Sequence, residues 1–246
     1  MISSKPFVIK TAFAIVCLLA FCPNVGLTQD QTLKKMVYDP GHLKPVDSEL
    51  KVAVGDPAPQ FSLPSLTGEA ISLDQYKDTH NVVISFVPAA WTPVCSDQWP
   101  GYNITKDIFT QHDAILLGIS VDNLPTLHAW TKQMGQLWFP VLSDFWPHGE
   151  VASQYGVLRT DGTAERALFI IYKKGIIRFI SVSDINRRPN LKDMVDALRV
   201  INSAATDSCV RSRPTALLYE TFLYQIKHKP HEHPSCRQAI GCRMQG

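Results

Sequence analysis

Residues 82–99 read VVISFVPAAWTPVCSDQW, and they hold the residue types that could do chemistry. The apolar run at 81–87 is rich in β-branched residues and reads as a buried strand. It ends at Pro88, a tight turn follows, and Cys95 falls at or near the start of the next helix. The first-turn N–H groups of a helix lack internal partners, and the macrodipole adds roughly half a positive charge there. A thiolate in that place is stabilised, and the thiolate is the nucleophilic form of cysteine. Thr92 lies three residues earlier, where a hydroxyl can exchange hydrogen bonds with a small oxygen substrate beside the sulfur. Trp91 stands where a Trp-Cys-x-x-Cys dithiol centre would begin, but Thr92 takes the first cysteine position, so local dithiol exchange has no partner thiol.

The elements around this segment follow from periodicity and turn chemistry. Residues 61–66 and 69–73 alternate about Thr67-Gly68 and predict a hairpin. Residues 114–121 form a second buried-strand run, and 139–142 a short third one. Helical spacing runs through Leu124, Leu127, Trp130 and Met134, with Asp122 or Asn123 as N-cap. A short helix is expected over 147–155, starting at Pro147 and ending at Gly156. Residues 167–172 and 176–182 flank Lys173-Lys174-Gly175 as a second hairpin, and 191–201 are amphipathic. Strands alternating with helices, closed by a hairpin and a helix, indicate a layered α/β domain.

The chain has 246 residues and a net charge of +2. A balance so near neutral gives no dense basic face, which argues against nucleic-acid binding. Residues 1–28 are expected to be a signal peptide: Lys5 and Lys10 precede an apolar run at 11–22, which Pro23 breaks. The expected location is therefore outside the cytoplasm, periplasmic or extracellular, with membrane anchoring if the leader is kept. Residues 29–50 read as a linker, 51–203 as the domain and 204–246 as a C-terminal extension. Loss of the leader removes Cys17 and Cys22 and leaves Cys95, Cys209, Cys236 and Cys242.

The segment Pro88-Ala89-Ala90-Trp91-Thr92-Pro93-Val94-Cys95 resembles the P-x-x-x-T-x-x-C signature of peroxiredoxins. The likeness continues in order through VGDPAPQFSLPSLTGE at 54–69, AILLGISVD at 114–122, DFWPHGEVASQYGV at 144–157, ERALFII at 165–171 and KKGIIRF at 173–179. The later blocks are most similar to the AhpE-like and one-cysteine branches of the AhpC/TSA family. The resemblance implies a thioredoxin-like fold, a central mixed β-sheet flanked by helices. It also implies a thiol-dependent peroxidase acting on hydrogen peroxide or organic hydroperoxides in antioxidant defence, without cofactor or metal. Cys95 is then similar to the peroxidatic cysteine and is expected to be open to solvent. Thr92 resembles the hydroxyl that bonds peroxide and thiolate, Pro88 the residue that shields the pocket, and Arg166 the arginine that supports thiolate and peroxide oxygens. Arg159 and Arg178 are nearby alternatives for the arginine. Many relatives carry Glu three residues after the cysteine; Gln98 stands here and implies a variant network.

How the sulfenic acid is resolved stays open in the sequence. Pro100 and the 122–135 helix exclude two locations for a second cysteine. Cys209 resembles the resolving cysteine of two-cysteine relatives, without the usual Val-Cys-Pro context. Cys236, Cys242 or an external thiol are the alternatives. The expected partners are a peroxide, a thiol reductant (a thioredoxin-like protein or a small thiol) and, as a candidate assembly, a second copy of the chain. His228, His231, His233 and Cys236 carry metal-capable donors, though a solvated tail is the simpler reading. Trp91, Trp99 and Trp146 are expected as wall and packing residues. Two other function classes remain for comparison. An exported thioredoxin-like thiol–disulfide oxidoreductase would need Cys-x-x-Cys. A copper-binding thioredoxin-fold protein would need two cysteines in the turn.

Overall fold

The computed structural model describes residues 35–211, with side chains described through 202. Cys209 falls within a helix there but its side chain lies outside the described residues, as do the expected leader, Cys236, Cys242 and the histidine tail. The central sheet has five strands: β3 (Asn81–Phe86), β4 (Ala114–Ser120), β5 (Val141–Ser143), β6 (Arg166–Tyr172) and β7 (Ile176–Ser183). Their order is β5-β4-β3-β6-β7. β3, β4 and β5 run parallel, while β6 is antiparallel to both β3 and β7. A separate hairpin, β1 (Ser62–Pro64) with β2 (Ala70–Ser72), turns at Thr67-Gly68 as expected.

Among the described residues, the helices around the sheet are α1 (Pro93–Ile104), α2 (Lys106–Gln111), α3 (Leu124–Gln133), α4 (Glu150–Tyr155) and α5 (Leu191–Arg211). β3 is buried on both faces, so its side chains divide by the strand period of two. Val82, Ile84 and Phe86 join a core with the β1–β2 hairpin and α4, where Tyr155 packs edge-on against Phe169. Val83 and Val87 join the opposite core, with Trp99 of α1, Trp130 of α3 and Met194 and Leu198 of α5. Trp99 and Trp130 pack with ring centroids 4.9 Å apart. Gly118 on β4 makes room for Trp99, since a Cβ there would lie 2.8 Å from Trp99 Cζ2.

Several local expectations are corrected. Of the two caps expected for α3, Asn123 serves, accepting from the Thr126 N–H at 2.9 Å. The helix expected from Pro147 begins later. The Trp146–Pro147 bond is cis, Gly149 is left-handed, and α4 starts at Glu150. Its free N–H groups are met from a distance: Asp144 accepts from Val151 at 3.1 Å and Ala152 at 2.8 Å. Gly156 ends it with φ +74. Trp146, expected as a packing residue, is 81% exposed. The segment read as a linker is hydrogen-bonded to the domain from Tyr38 onward. Its backbone at Glu49 and Lys51 passes so near Gly156 that a Cβ would meet it at 2.2–2.3 Å.

Candidate active site

β3 feeds the site. The strand stops before Pro88, and the turn 88–92 places Trp91 at φ +62, a conformation that ordinary residues avoid. Asp122, at the end of β4, steadies this turn by accepting from the Ala90 N–H at 2.7 Å. Thr92 is the extended N-cap residue of α1, and Pro93 fills the first helical position, where a missing N–H costs nothing. Cys95 is therefore in the first turn of α1, where sequence placed it.

Arg166 reaches the same place from β6. Alternation along that strand puts residues 166, 168 and 170 on the α1 side of the sheet, and Leu168 and Ile170 belong to the core with Trp99. Arg166 is 2% exposed. Its Nη2 donates toward Cys95 Sγ at 3.4 Å and to the Ile185 carbonyl at 3.0 Å; Nε donates to the same carbonyl at 3.2 Å. Its Nη1 donates to Gln98 Oε1 at 2.5 Å. Gln98 in turn donates to Ser85 Oγ at 3.1 Å and Tyr102 Oη at 3.2 Å. Burial pushes the Tyr102 phenol up to about 12, so it stays neutral at ordinary pH. The amide at 98 thus orients the guanidinium without adding charge.

The four expected site residues are not equally disposed toward the sulfur. Arg166 contacts it. Thr92 does not: its Oγ1 donates to the Ala89 carbonyl at 2.9 Å. With that hydrogen committed, the Thr92 oxygen is left to accept, which suits an incoming O–H. Pro88, Thr92 and Arg166 all line one pocket of about 660 Å³, together with Pro93 and Val94. Cys95 is 0% exposed and does not line it, contrary to the expectation of an open thiol. Its sulfur is covered, in the first turn of α1 and 3.4 Å from Arg166 Nη2. Arg159 is buried elsewhere and pairs with Glu165 at 2.8 Å. Arg178 stacks over the Tyr172 ring at 6.0 Å.

Sequence reasoning missed Ser85, Tyr102, the Ile185 carbonyl and Asn186. Tyr102 was findable, since it lies four residues after Gln98 on one helix face. The carbonyl leaves no trace in side-chain identity.

Comparison with known proteins agrees with this geometry. The chain is 34% identical over 151 residues to alkyl hydroperoxide reductase E of Mycobacterium tuberculosis, covering 61% of this chain and 98% of that one. It is 32% identical over 161 residues to the chloroplastic 2-cysteine peroxiredoxin of Chattonella marina var. antiqua, covering 62% and 82%. Among solved structures, Mycobacterium tuberculosis AhpC matches with a TM-score of 0.57 at 26% identity, over 62% of this chain and 94% of that one. The mitochondrial 2-cys peroxiredoxin from Plasmodium falciparum matches with a TM-score of 0.57 at 26% identity, over 63% and 98%. Residues 54–180, more than half the sequence, match the AhpC/TSA family model, and they span the strand, the turn, Cys95 and Arg166 alike; the chain belongs to the AhpC/TSA family.

Proposed function

We infer that this chain is a thiol-dependent peroxidase and that Cys95 is the sulfur it oxidises. The observation that carries the assignment of the residue is the Arg166 Nη2–Cys95 Sγ approach of 3.4 Å in the first turn of α1, under a pocket lined by Thr92 and Pro88. The thiolate attacks one peroxide oxygen. An S–O bond forms as the O–O bond breaks, sulfur gives up two electrons, and the leaving hydroxide or alkoxide takes a proton. Water or an alcohol departs and a sulfenic acid remains. Arg166 offers fixed donors to the charge moving across the O–O bond, and Thr92 accepts the peroxide O–H. Because the sulfur is covered, a local opening beside the pocket must precede its contact with the peroxide oxygen.

A thiol then condenses with the sulfenic acid to a disulfide plus water, and a second thiol restores Cys95. Cys209, Cys236, Cys242 or an external thiol fill the resolving role in this proposal. Export past the cytoplasmic membrane, from the leader at 1–28, and pairing of two copies belong to the same proposal. A thiol–disulfide oxidoreductase or a copper carrier is not favoured, since Thr92 stands where the first cysteine of the pair would be.

The test is one equivalent of hydrogen peroxide added to the reduced protein, followed by a sulfenic-acid trap and intact mass. A trapped adduct mapped to residue 95 supports the reading, and its absence from Cys95→Ser completes it. A Cys95→Ser protein that consumes peroxide at the parental rate would end it.

A further inference from the structure

We propose that residues 38–43 form a selectivity wall of the peroxide pocket, holding the non-reacting alkyl group of an organic hydroperoxide and so raising its rate relative to hydrogen peroxide. The proposal rests on the peroxidase reading above. These residues lie ahead of 54–180, the part matched by the family model, so the wall is built by sequence outside that shared region.

The segment is fixed on both sides of the pocket. On one side the Tyr38 N–H donates to the Trp91 carbonyl at 2.7 Å, in the strained turn before α1. On the other side Asn186 closes a two-way pair with Leu43, accepting from its N–H at 2.9 Å and donating to its carbonyl at 2.9 Å. The Ile185 N–H donates to Pro45 at 3.0 Å, and the Ile185 carbonyl is the acceptor that holds Arg166. Further along, the Asp47 N–H donates to Glu165 Oε1 at 2.6 Å, and Arg159 Nη2 donates to the Lys44 carbonyl at 3.0 Å. The buried Arg159–Glu165 pair thereby anchors the strap beside the residue that carries the guanidinium.

Size then indicates the occupant. The pocket measures about 660 Å³ and falls within the roughly 300–1,000 Å³ usual for organic ligands. Hydrogen peroxide is about the size of one or two waters, each filling about 30 Å³ of the liquid. Tyr38, Pro40 and Leu43 of the strap line the space together with Pro88, Ala89 and Ile185. Tyr38 is 71% exposed, so the core does not require its ring. Apolar contact here adds to the binding of a substrate with an alkyl or aryl group and adds nothing for hydrogen peroxide. Binding energy from a remote group can be used at the reacting centre. The ratio of the two rates is therefore the quantity the wall controls.

The experiment uses the full chain and the variants Tyr38→Ala, Leu43→Ala and Asn186→Ala. Second-order rate constants for sulfenic-acid formation at residue 95 are measured with cumene hydroperoxide and with hydrogen peroxide. The cumene-to-hydrogen peroxide ratio is expected to fall about tenfold, the scale of losing a small apolar contact in a pocket. Ratios within about twofold of the parent in all three variants would overturn the proposal, even if both rates dropped together. If Leu43→Ala or Asn186→Ala fails to fold, Tyr38→Ala still decides. A parent protein oxidised by neither peroxide is a distinct failure, and it falls on the peroxidase reading instead.

Discussion

Replacing Arg166 by Met removes the guanidinium and keeps a flexible apolar side chain in its place. Four hydrogen bonds go with it: two to the Ile185 carbonyl, one to Gln98 Oε1 and one to Cys95 Sγ. Only the last acts on the reacting atom. A hydrogen bond to a charged group contributes about 1.5–3 kcal/mol, and about 1.4 kcal/mol is one decade of rate. The rate of sulfenic-acid formation should therefore fall by about tenfold to about 150-fold at neutral pH. Stability is expected to move much less. The orphaned acceptors cost about 1–3 kcal/mol each, while removing a buried cation relieves a desolvation penalty of similar size. Arg166→Lys keeps the charge but gathers its donors on one atom, so it cannot reproduce the fork that serves Ile185, Gln98 and the sulfur together. It should lie between parent and Met variant. The assay is stopped-flow oxidation by hydrogen peroxide, with near-ultraviolet circular dichroism to verify packing. A Met variant with native packing and a rate within about threefold of the parent would refute a role for the guanidinium at the sulfur.

Two further outcomes follow from packing and titration. Gly118→Ala places a Cβ 2.8 Å from the ring of Trp99 and 3.2 Å from Phe139, so the aromatic layer must shift. The expected loss is about 1–3 kcal/mol, seen as a lowered midpoint in urea with little change in slope. Asp47 is held well below the ordinary carboxylate range by hydrogen bonds from the Lys44 ammonium and from the Thr160 hydroxyl and N–H. A lowered carboxyl stabilises the fold above its unfolded value of 3.8 and loses that contribution as pH falls toward the folded value. Hydrogen-exchange protection of residues 38–47, corrected for intrinsic rate, should thus decline below about pH 4. Asp47→Asn should flatten that decline, and identical profiles for parent and variant would count against the Asp47 contacts.

Much of the fold could be read where side-chain pattern carries the cause. The β-branched runs gave β3 and β4, and Thr67-Gly68 gave the first hairpin within a residue or two. The elements that carry the candidate site were legible for the same reason: a strand, a turn and a helix start are local features, and Arg166 opens the strand expected there. The strap was not legible. Its polar composition resembles a linker, and most of its ties use its own backbone, as with Leu43 on Asn186 and Pro45 on Ile185. Backbone donors and acceptors are common to nearly all residues, so sequence does not say where they will go. The cap on α4 escaped notice because Asp144 reaches forward seven and eight residues, beyond the ordinary N-cap spacing. Burial of Cys95 was missed because a position near a helix start says nothing of what covers it.

The two buried arginines differ in a way that supports the role proposed for one of them. Arg159 has a carboxylate partner: its Nη1 lies 2.8 Å from Glu165 Oε2, and both side chains are buried. That positive charge is already compensated, and the pair serves to anchor backbone. Among the described residues Arg166 has no carboxylate within salt-bridge reach; its acceptors are an amide oxygen, a peptide carbonyl and the sulfur. A buried cation without a carboxylate partner is costly, and four hydrogen bonds offset that cost, one of them toward Cys95 Sγ at 3.4 Å. Gln98 is central to this arrangement. The amide at 98 orients the guanidinium through Ser85 and Tyr102 without adding a charge beside residue 95. The network around Arg166 is thus built of neutral partners, and under the proposed function its fixed donors are directed at residue 95.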